Sequence, residues 1–106
     1  MDGQAIKATL GKNIKFLRFR RKYSQADLAE KADISIIFLS NIERGVKFPK
    51  PEVMSRIAKA LEVEVFELFK ADLVPENDKE TISRLSEDIH RNINMAVDEV
   101  FRQYLG

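Results

Sequence analysis

The chain has 106 residues and a net charge of +1, enough for one domain with a modest core and an additional segment. It has no cysteine, which excludes disulfides and thiolate metal sites, and no apolar run long enough to cross a bilayer. Its first residues lack the apolar stretch of a signal peptide, so we expect a cytoplasmic protein without a membrane partner.

The charge is unevenly distributed along the chain. Residues 1–50 carry a net charge of +6, residues 51–70 of −1 and residues 71–106 of −4. A basic half beside an acidic segment is typical of a nucleic-acid-binding face joined to a separate partner-binding segment. The alternative is that these charges only keep a helical surface soluble.

The first predicted helix starts between Gln4 and Thr9 and runs to about Lys22. Apolar residues recur along it at the spacing of a buried helical stripe: Ile6, Leu10, Ile14, Leu17 and Phe16. A dense basic run, Arg20 to Lys22, suits the negative end of this helix.

Two short helices joined by a tight turn are predicted next. Ser24 can cap a helix that runs to about Ala32 and buries Leu28, Ala29 and Ala32. Asp27 can reach back to the first residue, and Asp33 tolerates the left-handed conformation of a turn. Ser35 can cap the next helix, which runs to about Arg44, buries Leu39 and Ile42, and ends at Gly45.

A loop, a fourth helix and a short fifth helix complete this part of the chain. Pro49 and Pro51 favour a loop over 46–50, and Pro51 suits the first position of the fourth helix. That helix is expected to bury one of Val53 and Met54 together with Ile57, Ala58 and Leu61. The fifth lies around Val65 to Phe69. Lys50 and Glu64 provide no hydroxyl cap for these two helices.

The last segment differs in character. Residues 71–78 contain Pro75 and Asn77 and are predicted to form a hinge before one long helix within residues 79–106. Its apolar residues form a broad stripe: Ile82, Leu85, Ile89, Ile93, Ala96, Val97, Val100, Phe101, Tyr104 and Leu105. Such a stripe needs another chain, so we expect a homodimer formed through this helix. His90, which belongs to no cluster with metal-ligand spacing, is expected to be an exposed polar residue, and we expect no metal, no cofactor and no catalysis.

Several of these segments resemble a known family. The runs YSQADLAEKA (Tyr23 to Ala32) and LSNIERG (Leu39 to Gly45) are similar to the helix-turn-helix of the Cro/C1-type, phage-repressor-like DNA-binding domains. Further matches extend the resemblance over residues 10 to 70: Ile14, Leu17, Arg18, Pro49, 57–61 and 65–69. The resemblance implies an all-α protein, with a five-helix DNA-binding bundle over residues 1–70 followed by the hinge and the long C-terminal helix.

The resemblance also assigns the residues that contact bases, because the second helix of the motif enters the major groove. They are Ile36, Ile37 and Asn41, and Ser40 is added because it is an outward position of the same helix. Asn41 can bond bidentately to adenine, and the two isoleucines can contact thymine methyl groups, which predicts thymine-rich half-sites. The alternative is that one isoleucine belongs to the core or faces a protein partner.

Phosphate contacts and one structural pair are also expected, the former partly from the position of basic residues just after this helix. The expected phosphate-contacting residues are Gln25, Ser35, Arg44, Lys47 and Lys50. Arg18 and Glu43 match the family's buried ion pair and are expected to be structural. Phe38 is expected to be half-buried beside the groove.

The function predicted on this basis is sequence-specific binding of double-stranded DNA by a transcriptional regulator, a repressor acting as a homodimer on a two-fold symmetric operator. Two alternatives stay open. One is an antitoxin or antirepressor-controlled module whose C-terminal helix binds a different protein, a protein antagonist. The other is an interaction scaffold that has lost DNA binding.

Overall fold

A computed structural model describes residues 2–74 of the chain, which contain four α-helices, one 3₁₀ helix and no β-strand. The α-helices are α1 (Gly3–Arg20), α2 (Gln25–Ala32), α3 (Ile36–Glu43) and α4 (Pro51–Leu61), and the 3₁₀ helix spans Val65–Phe69. The all-α class is confirmed for these residues. The long helix predicted from residue 79, with the stripe assigned to dimerisation and His90, lies outside the described residues.

Helix α1 begins one residue before the predicted window. The Asp2 carboxylate accepts a hydrogen bond of 2.8 Å from the backbone N–H of Ala5, which starts the helix at Gly3. The helix ends at Arg20, slightly before the expected position, and Lys22 adopts a left-handed conformation with φ 59°. Ile6 is exposed, so the buried stripe starts one turn later than predicted and consists of Leu10, Ile14 and Leu17.

Local capping bonds define both short helices as predicted. The Ser24 hydroxyl accepts from the N–H of Asp27 (3.0 Å), and the Asp27 carboxylate accepts from the N–H of Ser24 (2.8 Å). Asp33 ends α2 in the left-handed conformation, with φ 54° and ψ 51°. The Ser35 hydroxyl then accepts from the N–H of Phe38 (3.0 Å), and Gly45, at φ 76°, follows α3.

The 3₁₀ helix is fixed to α1 by a buried amide that the sequence pattern does not reveal. Asn13, fully buried, donates from Nδ2 to the carbonyls of Leu68 (2.9 Å) and Lys70 (2.8 Å). These two bonds satisfy carbonyl groups at the end of the 3₁₀ helix. Burial continues beyond it to Val74.

The core lies between α1, α2, α3 and α4 and closes against the 3₁₀ helix. Its buried apolar residues are Leu10, Ile14, Leu17, Leu28, Ala29, Ala32, Leu39, Ile42, Ile57, Ala58, Leu61 and Leu68. Helices α1 and α3 approach each other closely at Gly11. A Cβ at this position would lie 2.5 Å from the carbonyl oxygens of Ile42 and Glu43, so the contact needs glycine. This approach fixes the position of α3.

Candidate nucleic-acid interface

Helix α3 presents a face that the core does not use. The side chains of Ile36 and Ile37 are 50% and 75% exposed, and those of Ser40 and Asn41 are half-buried. Residues four apart in a helix share a face, which places Ser40 beside Ile36 and Asn41 beside Ile37. The structure thus brings the four residues expected to contact bases onto one surface. Neither isoleucine belongs to the core, which leaves contact with a protein partner as the alternative for this pair.

Asn41 is bonded through both its side chain and its backbone. Its side-chain oxygen accepts a hydrogen bond of 2.5 Å from the Arg44 guanidinium. Its backbone carbonyl accepts from the N–H groups of Val46 (2.9 Å) and Lys47 (3.2 Å). The residue therefore connects the exposed face of α3 to the loop that follows it.

A buried ion pair holds α3 against α1. The Arg18 guanidinium donates to both carboxylate oxygens of Glu43, at 2.8 and 2.9 Å, and the two side chains are 1% and 2% exposed. A third bond runs from Arg18 to the carbonyl of Tyr23 (3.0 Å). Because the guanidinium and the carboxylate match as two planar forks, this pair fixes orientation as well as distance. Both residues expected to be structural lie away from solvent.

The same carboxylate connects α2 to the pair. Gln25 donates from Nε2 to Glu43 Oε1 at 3.1 Å, which leaves its second amide hydrogen available for a ligand. Half-buried Lys15 lies in the same electrostatic environment. Burial lowers its pKa, the Glu43 carboxylate opposes this, and the Arg18 guanidinium adds to it. Side chains of α1, α2 and α3 thus meet at one carboxylate.

Four of the five residues expected to contact phosphate are exposed. They are Ser35, Arg44, Lys47 and Lys50, and the fifth, Gln25, is half-buried. They lie at the start of α2, at the two ends of α3 and in the loop before α4. Phe38 is half-buried, as expected, and packs against the core.

Sequence reasoning missed a contact that supports the end of α3. Gln4 donates from Nε2 to the carbonyl of Gly45 (3.3 Å), and a Cβ on Gly45 would lie 3.5 Å from the Cα of Ala8. The sequence predicted only that Gly45 ends a helix, and nothing in the sequence pattern indicated that it contacts α1. The start of α1 thus packs against the end of α3.

Metal-binding groups and membrane-spanning helices are both absent from residues 2–74. No group of His, Cys, Asp or Glu side chains among them is placed to hold a metal ion. None of their helices has the length and apolarity needed to span a membrane.

Two short helices at a tight turn, with an exposed face on the second and basic residues beyond it, define a helix-turn-helix DNA-binding domain. A profile described as "Helix-turn-helix domain" matches residues 11–72, more than half of the chain. The chain belongs to this family, that of the Cro/C1-type helix-turn-helix transcriptional regulators.

Individual relatives agree with this family. The "Immunity repressor protein" of Bacillus phage phi105 is 34% identical over 86 residues, which are 80% of this chain and 60% of that protein. The chain thus spans three fifths of the length of this relative. The crystal structure of the restriction-modification controller protein C.AhdI from Aeromonas hydrophila is 28% identical with a TM-score of 0.60, covering 61% of this chain and 98% of the controller. A SinR protein/SinI protein complex is 28% identical with a TM-score of 0.54, covering 91% of this chain and 90% of that chain.

Proposed function

We propose that this protein is a sequence-specific repressor that binds double-stranded DNA as a homodimer. The observation that carries the proposal is the exposed face of α3, held in place from behind by the Arg18–Glu43 ion pair and Gln25. A helix fixed in this way can enter the major groove without changing shape, which limits the conformational cost of binding. The similarity to a phage immunity repressor supports repression as the outcome.

Base recognition combines apolar and polar contacts on this face. Ile36 and Ile37 contact the methyl groups of thymines, the one apolar feature that bases present in the major groove. Ser40 and Asn41 supply hydrogen bonds from the next turn of α3. An isoleucine side chain exposed to water contributes no hydrophobic stabilisation, whereas contact with a thymine methyl group removes apolar surface from water.

Phosphate contacts hold the domain on the duplex. Ser35 uses its hydroxyl oxygen as the cap of α3, which leaves the hydroxyl hydrogen for a phosphate oxygen. Gln25 retains one amide hydrogen, and Arg44, Lys47 and Lys50 add positive charge after α3. Contacts of this kind give affinity without sequence information.

The homodimer is proposed because the sequence of the C-terminal segment contains a stripe of apolar residues. In this proposal residues 1–70 bind DNA, residues 71–78 form a hinge, and the apolar residues between Ile82 and Tyr104 associate with those of a second copy. Two domains joined in this way contact half-sites about 34 Å apart, one turn of the duplex. Static light scattering of the full chain is expected to give twice the mass of one chain.

The test of DNA binding starts from a selected duplex. Oligonucleotides bound from a random pool are sequenced, and affinity for the selected site is measured by fluorescence anisotropy. Replacing its thymines by uracil removes only the methyl groups. We expect the wild type to bind the uracil duplex more weakly and Ile37→Ser, which keeps Ile36, to lose part of this sensitivity. The control Val65→Ser, at an exposed aliphatic residue of the 3₁₀ helix, is expected to keep it.

Two results would contradict this proposal. Equal affinity of the wild type for the thymine and uracil duplexes would show that the two isoleucines do not contact thymine methyl groups. No binding to any duplex, even at low salt, would favour the interaction scaffold over the DNA-binding repressor.

A second candidate function has its own support. One structural relative is a complex of two proteins, SinR and SinI, which favours a regulator controlled by a protein antagonist. In this version the C-terminal segment binds a different protein. A monomeric mass at micromolar concentration would favour it over the homodimer.

A further inference from the structure

Asn41 and Arg44 form a side-chain pair on the second half of α3. Arg44 is exposed, Asn41 is half-buried, and the guanidinium donates to the amide oxygen at 2.5 Å across one helical turn. Sequence reasoning treats them separately, with Asn41 contacting a base and Arg44 a phosphate. The hydrogen bond makes them one unit.

This bond changes what the pair offers to a ligand. A free asparagine amide presents two donors on its nitrogen and an acceptor on its oxygen. Here one of the two lone pairs of the oxygen already accepts from a cation, while the nitrogen keeps both donors. The guanidinium has five N–H donors and uses one of them on Asn41. The pair therefore presents mainly donors.

The donor pattern distinguishes the two purines. Adenine shows an acceptor at N7 and a donor at N6 in the major groove, so a bidentate partner must both donate and accept. Guanine shows acceptors at both N7 and O6, which two donors satisfy. We infer that the Asn41–Arg44 pair contacts guanine and that Arg44 decides between guanine and adenine. This inference rests on the proposed DNA-binding function. It replaces the adenine expected for Asn41 alone and the phosphate contact expected for Arg44.

The experiment uses the full chain and the site selected by the wild type. The Asn41→Ala variant first identifies the base pair that Asn41 contacts, because the variant no longer distinguishes the bases at that position. Four duplexes that differ only at this base pair are then made. In anisotropy titrations the wild type is expected to bind the guanine duplex at least about tenfold more tightly than the adenine duplex. Arg44→Ala releases the Asn41 oxygen, and its preference at this position is expected to move to adenine.

Lys47→Ala is the matched control, because it removes a neighbouring exposed cation that makes no side-chain bond to Asn41. It is expected to keep the guanine preference while weakening all four duplexes alike. Two results would overturn the inference: a wild-type preference for adenine, or an Arg44→Ala variant that loses the same factor on every duplex and keeps the guanine preference.

A base analogue tests the wild type alone, so the outcome does not depend on folding of a variant. Replacing the guanine by 7-deazaguanine removes the N7 acceptor and is expected to weaken binding severalfold. Unchanged affinity would also overturn the inference. A wild type that binds no duplex at low salt would instead refute the proposed DNA-binding function.

Discussion

Replacing Arg18 by methionine tests the buried ion pair that orients α3. The substitution keeps most of the apolar volume but leaves the Glu43 carboxylate, 2% exposed, without its cation. Two charge-assisted hydrogen bonds of 2.8 and 2.9 Å are lost, each worth about 1.5–3 kcal/mol. Breaking one side of a buried pair costs about 3–5 kcal/mol by the same reasoning. Against a typical total stability of about 5–15 kcal/mol, Arg18→Met should leave the protein marginally folded.

Urea unfolding followed by far-UV circular dichroism measures this effect. The control Arg20→Met removes an exposed cation two residues away and is expected to cost less than about 1 kcal/mol. Adding Glu43→Leu to Arg18→Met removes the stranded charge, and the double variant is expected to regain most of the lost stability. A loss below about 1 kcal/mol for Arg18→Met, the value of an exposed pair, would refute this account of the pair.

Three further predictions concern packing, DNA affinity and acid stability. Gly11→Ala is expected to lower the free energy of unfolding by about 1–3 kcal/mol, because its Cβ would lie 2.5 Å from backbone oxygens of α3. The control is Gly3→Ala, because a Cβ at Gly3 would contact no other atom. Thermal melting of the two variants checks the prediction, and equal melting temperatures for both would contradict it. Lys47→Ala should weaken every duplex alike and reduce the salt-dependence slope by about one unit, measured by anisotropy at several salt concentrations. An effect confined to one base pair would count against it. The Ser24 N–H, together with its hydroxyl, lowers the pKa of Asp27, so this carboxylate stabilises the fold above pH 3.8 and less as the pH falls through its folded-state pKa. Asp27→Asn should therefore lose less stability on acidification than the wild type in urea titrations, and an identical loss would argue against this role.

Helix boundaries were predictable where local chemistry sets them. Ser24, Asp27 and Ser35 cap through bonds to residues within three positions, which a sequence pattern contains. Asp33 and Gly45 likewise adopt the left-handed conformations that their residue types favour. These signals fixed α2, the turn and α3, which make up most of the candidate site.

Contacts distant in sequence were not predictable from pattern. Asn13 bonds to carbonyls more than fifty residues away, and nothing in its neighbourhood marks a polar residue as buried. Gly11 lies inside a helix, where sequence alone suggests only a destabilising residue, and its reason appears when α3 approaches. Arg18 and Glu43 were paired through family resemblance, since their own spacing gives no sign that they meet.

The division of work within α3 explains how one short helix can serve both stability and recognition. Its eight residues are too few to form a stable isolated helix, so its shape depends on Leu39, Ile42 and Glu43, which face the core. Ile36 and Ile37 lie on the other side, where the surrounding fold does not cover them. Substitutions at these two positions should therefore change the surface proposed to contact DNA with little effect on folding. The same scaffold can accordingly carry different recognition surfaces, provided that the residues behind the helix are kept.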